Sequence, residues 1–206
     1  PSYKGIEVEV HYRPSFLLCF WHNRKLQEYY ERVKEEQFSH RVMLGEQGEV
    51  AIPTAEFNLI FQLTHIFTHL MNEGIGLRQL LDYYYVLISD DLLLIRDRVQ
   101  KELKELGLWK FAGAIMYIMQ EVFSMPASRL IVPPNEKYGK FVLNEVLEAG
   151  NFGKHDARNR FGNSPLGHNL QRVYRDMRLV RYFPAEALCE PIFRTWHFFW
   201  RMKNKK

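Results

Sequence analysis

The chain has 206 residues, 47% of them hydrophobic and 15% aromatic, which is enough for a real core and excludes a disordered or low-complexity segment. A net charge of +4 with a pI near 9.0 is too weak by itself to argue for nucleic acid. Two cysteines far apart in sequence, Cys19 and Cys189, exclude a disulfide framework and a local zinc motif, and no apolar run reaches the ~18–20 residues of a membrane span, so the expectation is a cytoplasmic, globular protein with reduced cysteines.

In chain order, Lys4–Arg13 alternates strictly, with Ile6, Val8, Val10 and Tyr12 on one side and Glu7, Glu9 and His11 on the other. That pattern predicts one strand. Two carboxylates and an imidazole on one face suit a metal-assisted site, and equally the exposed face of a sheet. The chain starts at Pro1 and is in strand pattern within a few residues, as expected of a truncated chain. Pro14 and Ser15 end the strand. A helix over 16–38 follows, with Phe20, Leu26, Tyr29, Tyr30 and Val33 inward and a charged outer face that includes Glu31 and Lys34. Short strands at 40–44 and 49–52 around Gly45–Gly48 predict a hairpin.

The chain is organised around the stretch 52–88. Thr54 is placed to cap a helix whose apolar residues cover most of its circumference. The remaining stripe, Asn58, Gln62, His65, His69 and Asn72, carries no lysine or arginine, so it faces either a cleft or a polar contact. A zinc-protease signature fails there because Ile66 stands where a glutamate is required. Gly74 and Gly76 lead into a second helix over 77–88 with Arg78 and Asp82 one turn apart, which makes a helical hairpin.

Further helices are expected over 92–106, 109–123 and 136–147, the second containing Ala112, Gly113 and Ala114 for close packing. The stretch 148–169 is glycine-rich and irregular, and its Lys154, His155, Arg158 and Arg160 suit a phosphate. Arg172, Arg175, Arg178 and Arg181 then recur every third residue along 170–183. The final helix, 184–202, reads as an aromatic packing helix, kinked or begun by Pro191.

The segments EVEVHYRP, the Pro…Glu…His-x-x-x-His helix, GLRQLLDYYYVL and GNFG, in that order, resemble the bacterial family of uncharacterised nucleotidyltransferases, as that family's C-terminal portion. Its members are similar in fold to the DNA-polymerase-β-type nucleotidyltransferases, in which a Gly-Ser turn and an Asp-x-Asp pair precede a strand bearing a third carboxylate. The resemblance makes Glu9 that third carboxylate and metal ligand, with Glu7 the less favoured choice. It implies magnesium as the cofactor of the complete protein and a nucleoside triphosphate as substrate, with the acceptor open. His11, His65, His69, Arg78, Asp82, Lys154 and Arg158 are the substrate-binding candidates. No Gly-Ser followed by Asp-x-Asp occurs here, so the expectation is a fragment that is inactive alone.

The alternative is a non-enzymatic helical module holding RNA or an acidic partner through Arg172–Arg181, the basic tail, Trp196 and Trp200. The expected fold is mainly α (α+β), a bundle of about six to seven helices with a small, incomplete β portion. Residues 1–52 are taken as the remnant of a nucleotidyltransferase sheet with one helix and a hairpin, and 53–206 as a helical domain.

Overall fold

The computed structural model describes residues 2–3, 5–7, 13–89, 92–150, 156, 158 and 165–204. The chain is mainly helical, with eight α-helices and two small antiparallel hairpins among those residues. β1 (Ser2–Tyr3) pairs with β2 (Ile6–Glu7) in the register Ser2↔Glu7 and Tyr3↔Ile6. Of the strand expected over Lys4–Arg13, β2 holds Ile6 and Glu7, while Lys4 and residues 8–12 lie outside the described residues. Gly5, at φ +79°, turns the chain at a position where a side chain would be strained.

α1 (Phe20–Ser39) buries Leu26, Tyr29 and Tyr30 as expected, but Phe20, placed inward by its spacing, is 43% exposed in the helix's first turn. β3 (Arg41–Met43) and β4 (Glu49–Ala51) form the expected hairpin. α2 (Ala55–Asn72) starts where Thr54 Oγ1 accepts from the Phe57 amide at 3.3 Å, so the hydroxyl satisfies one donor that the first turn leaves unpaired. α2 and α3 (Leu77–Leu87) form the predicted hairpin, joined by the buried Tyr83 hydroxyl donating to the Leu59 carbonyl at 3.3 Å. No ion pair joins Arg78 to Asp82 among the described residues, and both side chains are exposed on α3.

α4 (Leu92–Glu105), α5 (Trp109–Phe123) and α6 (Glu136–Ala149) follow close to their predicted bounds. α7 (Pro165–Leu179) begins five residues earlier than its apolar pattern indicated, with Pro165 at its first position, where a missing N–H is harmless. α8 (Pro184–Lys203) is continuous through Pro191.

One cluster of buried side chains runs from Leu17 to Ala187, with the α2 residues Leu59, Leu63 and Phe67 among its members. Phe67, Phe111 and Phe183 meet at ring separations of 4.4–5.8 Å and tie α2, α5 and the start of α8 together. The outer half of α8 departs from the packing role expected of it: Trp196 and Trp200 are half exposed, as are Phe198 and Phe199. No helix among the described residues is long and apolar enough to cross a membrane.

Candidate functional site

The segment that leaves the N-terminal strands is fastened onto α1 and α2 by polar contacts. Ser15 Oγ lies 2.5 Å from the Tyr30 hydroxyl and 2.9 Å from Thr64 Oγ1, and Thr64 Oγ1 lies 2.7 Å from the Phe61 carbonyl. Each hydroxyl has one proton, so the consistent pattern is a relay in which Tyr30 donates to Ser15, Ser15 to Thr64, and Thr64 to the backbone. Burial raises the Tyr30 pKa above its ordinary value, which keeps the hydroxyl a neutral donor. Thr68 Oγ1 donates to the Phe16 carbonyl at 2.7 Å, and Gln27 Nε2 to that of Ser15 at 3.0 Å.

This anchoring sets Arg13 and Pro14 over a groove of about 400 Å³, walled by Tyr30, Glu31, Lys34, Gln37 and Phe38 of α1 and by Phe57 of α2. The volume falls within the ~300–1,000 Å³ usual for small-molecule sites. Its chemistry is mixed: aromatic faces on two walls, the amide of Gln37, and two cationic side chains. Lys34 approaches Glu31 only to 3.8 Å, with both side chains more than half exposed, so its ammonium is held weakly.

From Phe57 a ladder of rings runs along α2. Phe57–Phe61, Phe61–His65 and His65–His69 are spaced 5.9, 5.8 and 4.4 Å apart, the four-residue repeat of one helix face. His69 Nδ1 lies 2.7 Å from Glu73 Oε1, and His69 Nε2 lies 3.0 Å from His65 Nε2. With Glu73 accepting from His69 Nδ1–H, the neutral imidazole of His69 presents a lone pair to His65 Nε2–H. Of the stripe without lysine or arginine, His65 and His69 thus continue the face of α2 that carries Phe57 and Phe61.

The other predicted residues are scattered. Glu9, His11 and Lys154 lie outside the described residues, and Glu7 belongs to β2. Arg158 is spent inside the protein. Its guanidinium contacts Asp156 at 2.8 and 2.9 Å and Glu145 at 2.8 and 3.2 Å, and Arg178 shares Glu145 at 3.2 Å. Burial alone would raise the Asp156 carboxyl, but the Arg158 hydrogen bonds bring it below the usual range.

The arginine repeat is only partly an open basic face, with Arg172 on α7 and Arg181 beyond its end exposed. Arg178 is bound to Glu145, Arg172 lies 3.7 Å from Glu190, and burial depresses the Arg175 pKa. Asp176 is buried at the α7–α8 contact, where burial and the neighbouring Glu190 push it up to about 7. A carboxyl whose folded pKa exceeds its unfolded value of 3.8 is fully stabilising below 3.8 and loses that stability as pH rises towards 7. Asp176→Asn, which mimics the protonated form, is expected to gain on the order of 2 kcal/mol at pH 8. Melting curves from pH 4 to pH 8 should show a rise of about 5 °C at the alkaline end and none at pH 4.

One cluster escaped the sequence. Glu186 of α8 reaches back to the start of α1: its Oε2 accepts from the Leu18 and Cys19 amides at 2.7 and 2.8 Å, and its Oε1 lies 2.9 Å from His22 Nδ1. Cys189, one turn further along α8, lies near the Cys19 thiol. Burial pushes that thiol up to about 12. The two cysteines, distant in sequence, are neighbours in space.

Cys19, His22 and Glu186 are also the one group of His, Cys, Asp and Glu among the described residues whose ligand atoms converge. Their sulfur and nitrogen donors do not fit magnesium, which requires oxygen ligands.

A family model described as uncharacterised nucleotidyltransferase matches residues 1–124, from β1 to the end of α5. No curated protein and no solved structure matches the chain.

Proposed function

Because the chain belongs to the uncharacterised nucleotidyltransferase family, we propose that it serves the transfer of a nucleotidyl group from a nucleoside triphosphate to an acceptor, and that the groove beneath Arg13 receives the nucleotide. The observation that carries this reading is that every residue lining the groove falls within the matched stretch. In such a transfer the acceptor oxygen attacks the α-phosphorus and pyrophosphate leaves, so a site must hold a flat base at one end and a polyanion at the other. Tyr30, Phe38 and Phe57 offer faces for the base, while Lys34 and Arg13 offer charge for the phosphates.

Glu9 is the proposed third carboxylate, with Glu7 of β2 the lesser candidate. The Gly-Ser and Asp-x-Asp pattern does not occur in these 206 residues. The reading therefore assigns to this stretch one carboxylate and the nucleotide groove, not a whole two-metal site. His65 and His69, on the α2 face that carries Phe57 and Phe61, are the proposed contacts for the acceptor. Of the arginines in the RNA-binding reading, Arg178 is held by Glu145, while Arg172 and Arg181 stay exposed.

Calorimetric titration with magnesium and each of the four ribonucleoside triphosphates tests the proposal. Binding is expected, and Lys34→Ala should weaken it ~10-fold by removing one charge-assisted contact. Phe38→Ala should weaken it by a similar factor, whereas Lys203→Ala on α8 should leave it unchanged. Equal losses from Lys34→Ala and Lys203→Ala would remove the groove from the account.

A further inference from the structure

We propose that the outward face of α8 is a docking surface for a second copy of this chain, the two helices pairing antiparallel about a two-fold axis. Leu188, Ile192, Thr195, Phe199 and Met202 follow one another at spacings of four, three, four and three, the heptad repeat that keeps one seam along a helix. All five are exposed. The opposite side of α8 faces the protein instead: Glu186, Ala187 and Glu190 are buried, and Phe193 stacks on Phe16 at 5.5 Å. The helix is therefore fixed from within while its seam points outward. The surface lies beyond residues 1–124 and does not depend on the nucleotidyl-transfer reading.

Area and charge both point to an identical partner. Leu188, Ile192, Trp196, Phe198, Phe199 and Met202 are each 51–63% exposed. At roughly 100–150 Å² apiece they leave on the order of 700 Å² of apolar surface on one helix. That is above the ~300–600 Å² of the largest patch on an ordinary monomer and close to the ~800 Å² that each partner brings to a standard interface. From Leu188 to Met202 the seam and the positions flanking it, residues 189, 191, 196 and 198, hold no charged residue. Arg194 and Arg201, seven residues apart, lie on the far side of the helix, where Arg194 is 3.6 Å from Glu190. An anionic lipid surface or a nucleic acid calls for cations beside the aromatic residues. An uncharged seam is matched by another uncharged seam.

The seam is also complementary to itself. Antiparallel pairing about His197 sets Thr195 opposite the partner's Phe199 and Ile192 opposite the partner's Met202, a small side chain against a large one at the first of these. A groove of about 490 Å³ lies beside Thr195, lined by Pro191, Ile192, Trp196 and Phe199, and this is where the partner's phenyl ring enters. Thr195 is the one polar side chain in the seam. Its hydroxyl already donates to the Pro191 carbonyl at 2.8 Å, so covering it leaves no donor unpaired.

The test is light scattering and sedimentation of the full chain over a concentration series. The expected result is a mass of twice the 24.7 kDa of one chain, with tryptophan emission moving to the blue as the dimer forms. Phe199→Glu should weaken the dimer at least ~100-fold, because symmetry places the new charge in the contact twice. Ile192→Lys is the second seam variant should Phe199→Glu fail to fold. Leu94→Glu, at a leucine 79% exposed on α4, should leave the dimer intact. A chain that stays monomeric at every concentration would overturn the proposal, as would a dimer that survives both seam variants or falls equally to Leu94→Glu. A monomer that binds phosphatidylglycerol vesicles through α8 would overturn it too and give the surface to a lipid.

Discussion

Glu186→Ala is expected to destabilise the protein by about 3–5 kcal/mol, lowering Tm by about 10 °C. One buried carboxylate satisfies two backbone amides at the entry to α1 and faces His22. Alanine leaves the Leu18 and Cys19 amides without acceptors in a site where Leu18 and Cys19 are almost wholly buried. Each orphaned donor costs about 1–3 kcal/mol. Glu186→Gln keeps one acceptor oxygen, so its loss should be smaller. Thermal unfolding of the two variants beside the parent checks the order, and equal stability of Glu186→Ala and the parent would show that α1 is held by other contacts.

Gly139→Ala is expected to cost about 3 kcal/mol, against the ordinary preference of a helix for alanine. Alanine in mid-helix gains about 1 kcal/mol of propensity over glycine. At this position, however, the added Cβ would lie 2.3–2.5 Å from Cδ1, Cγ and Cβ of Tyr117, atoms near the root of that side chain that cannot swing aside. α5 and α6 approach so closely because Gly139 faces Tyr117 and Gly113 faces Asn135, whose amide donates to the Gly113 carbonyl at 2.9 Å. Chemical denaturation gives the number, and Tyr117→Ala should rescue part of the loss if the clash is its cause. A stabilised Gly139→Ala would mean that the two helices separate readily.

The helical framework was legible because its signals are local. Thr54 marks the start of α2, and the almost wholly apolar run of α5 gives its bounds to the residue. The close packing expected from Gly113 is present at Pro133 and Asn135. Signals failed where the deciding interaction was remote. Nothing near Cys19 indicates that a carboxylate 167 residues away caps its amide. Nor does anything near Arg158, or near Arg178 of the basic repeat, indicate that Glu145 engages both from α6. The aromatic run of α8 looked like core, but among the described residues no other helix covers Trp196 or Trp200, which stay half exposed.

The groove was half visible for the same reason. Tyr30 was placed inward and Lys34 outward correctly, but only the fold brings Arg13 and Phe57 beside them.

Hydrogen exchange of the backbone amides with and without magnesium ATP tests the central claim most directly, since it locates binding without assuming a residue. Protection is expected over residues 13–16, 30–38 and 54–58, with none over 165–203. Protection confined to 165–203 would contradict the groove and place the ligand on α7 and α8.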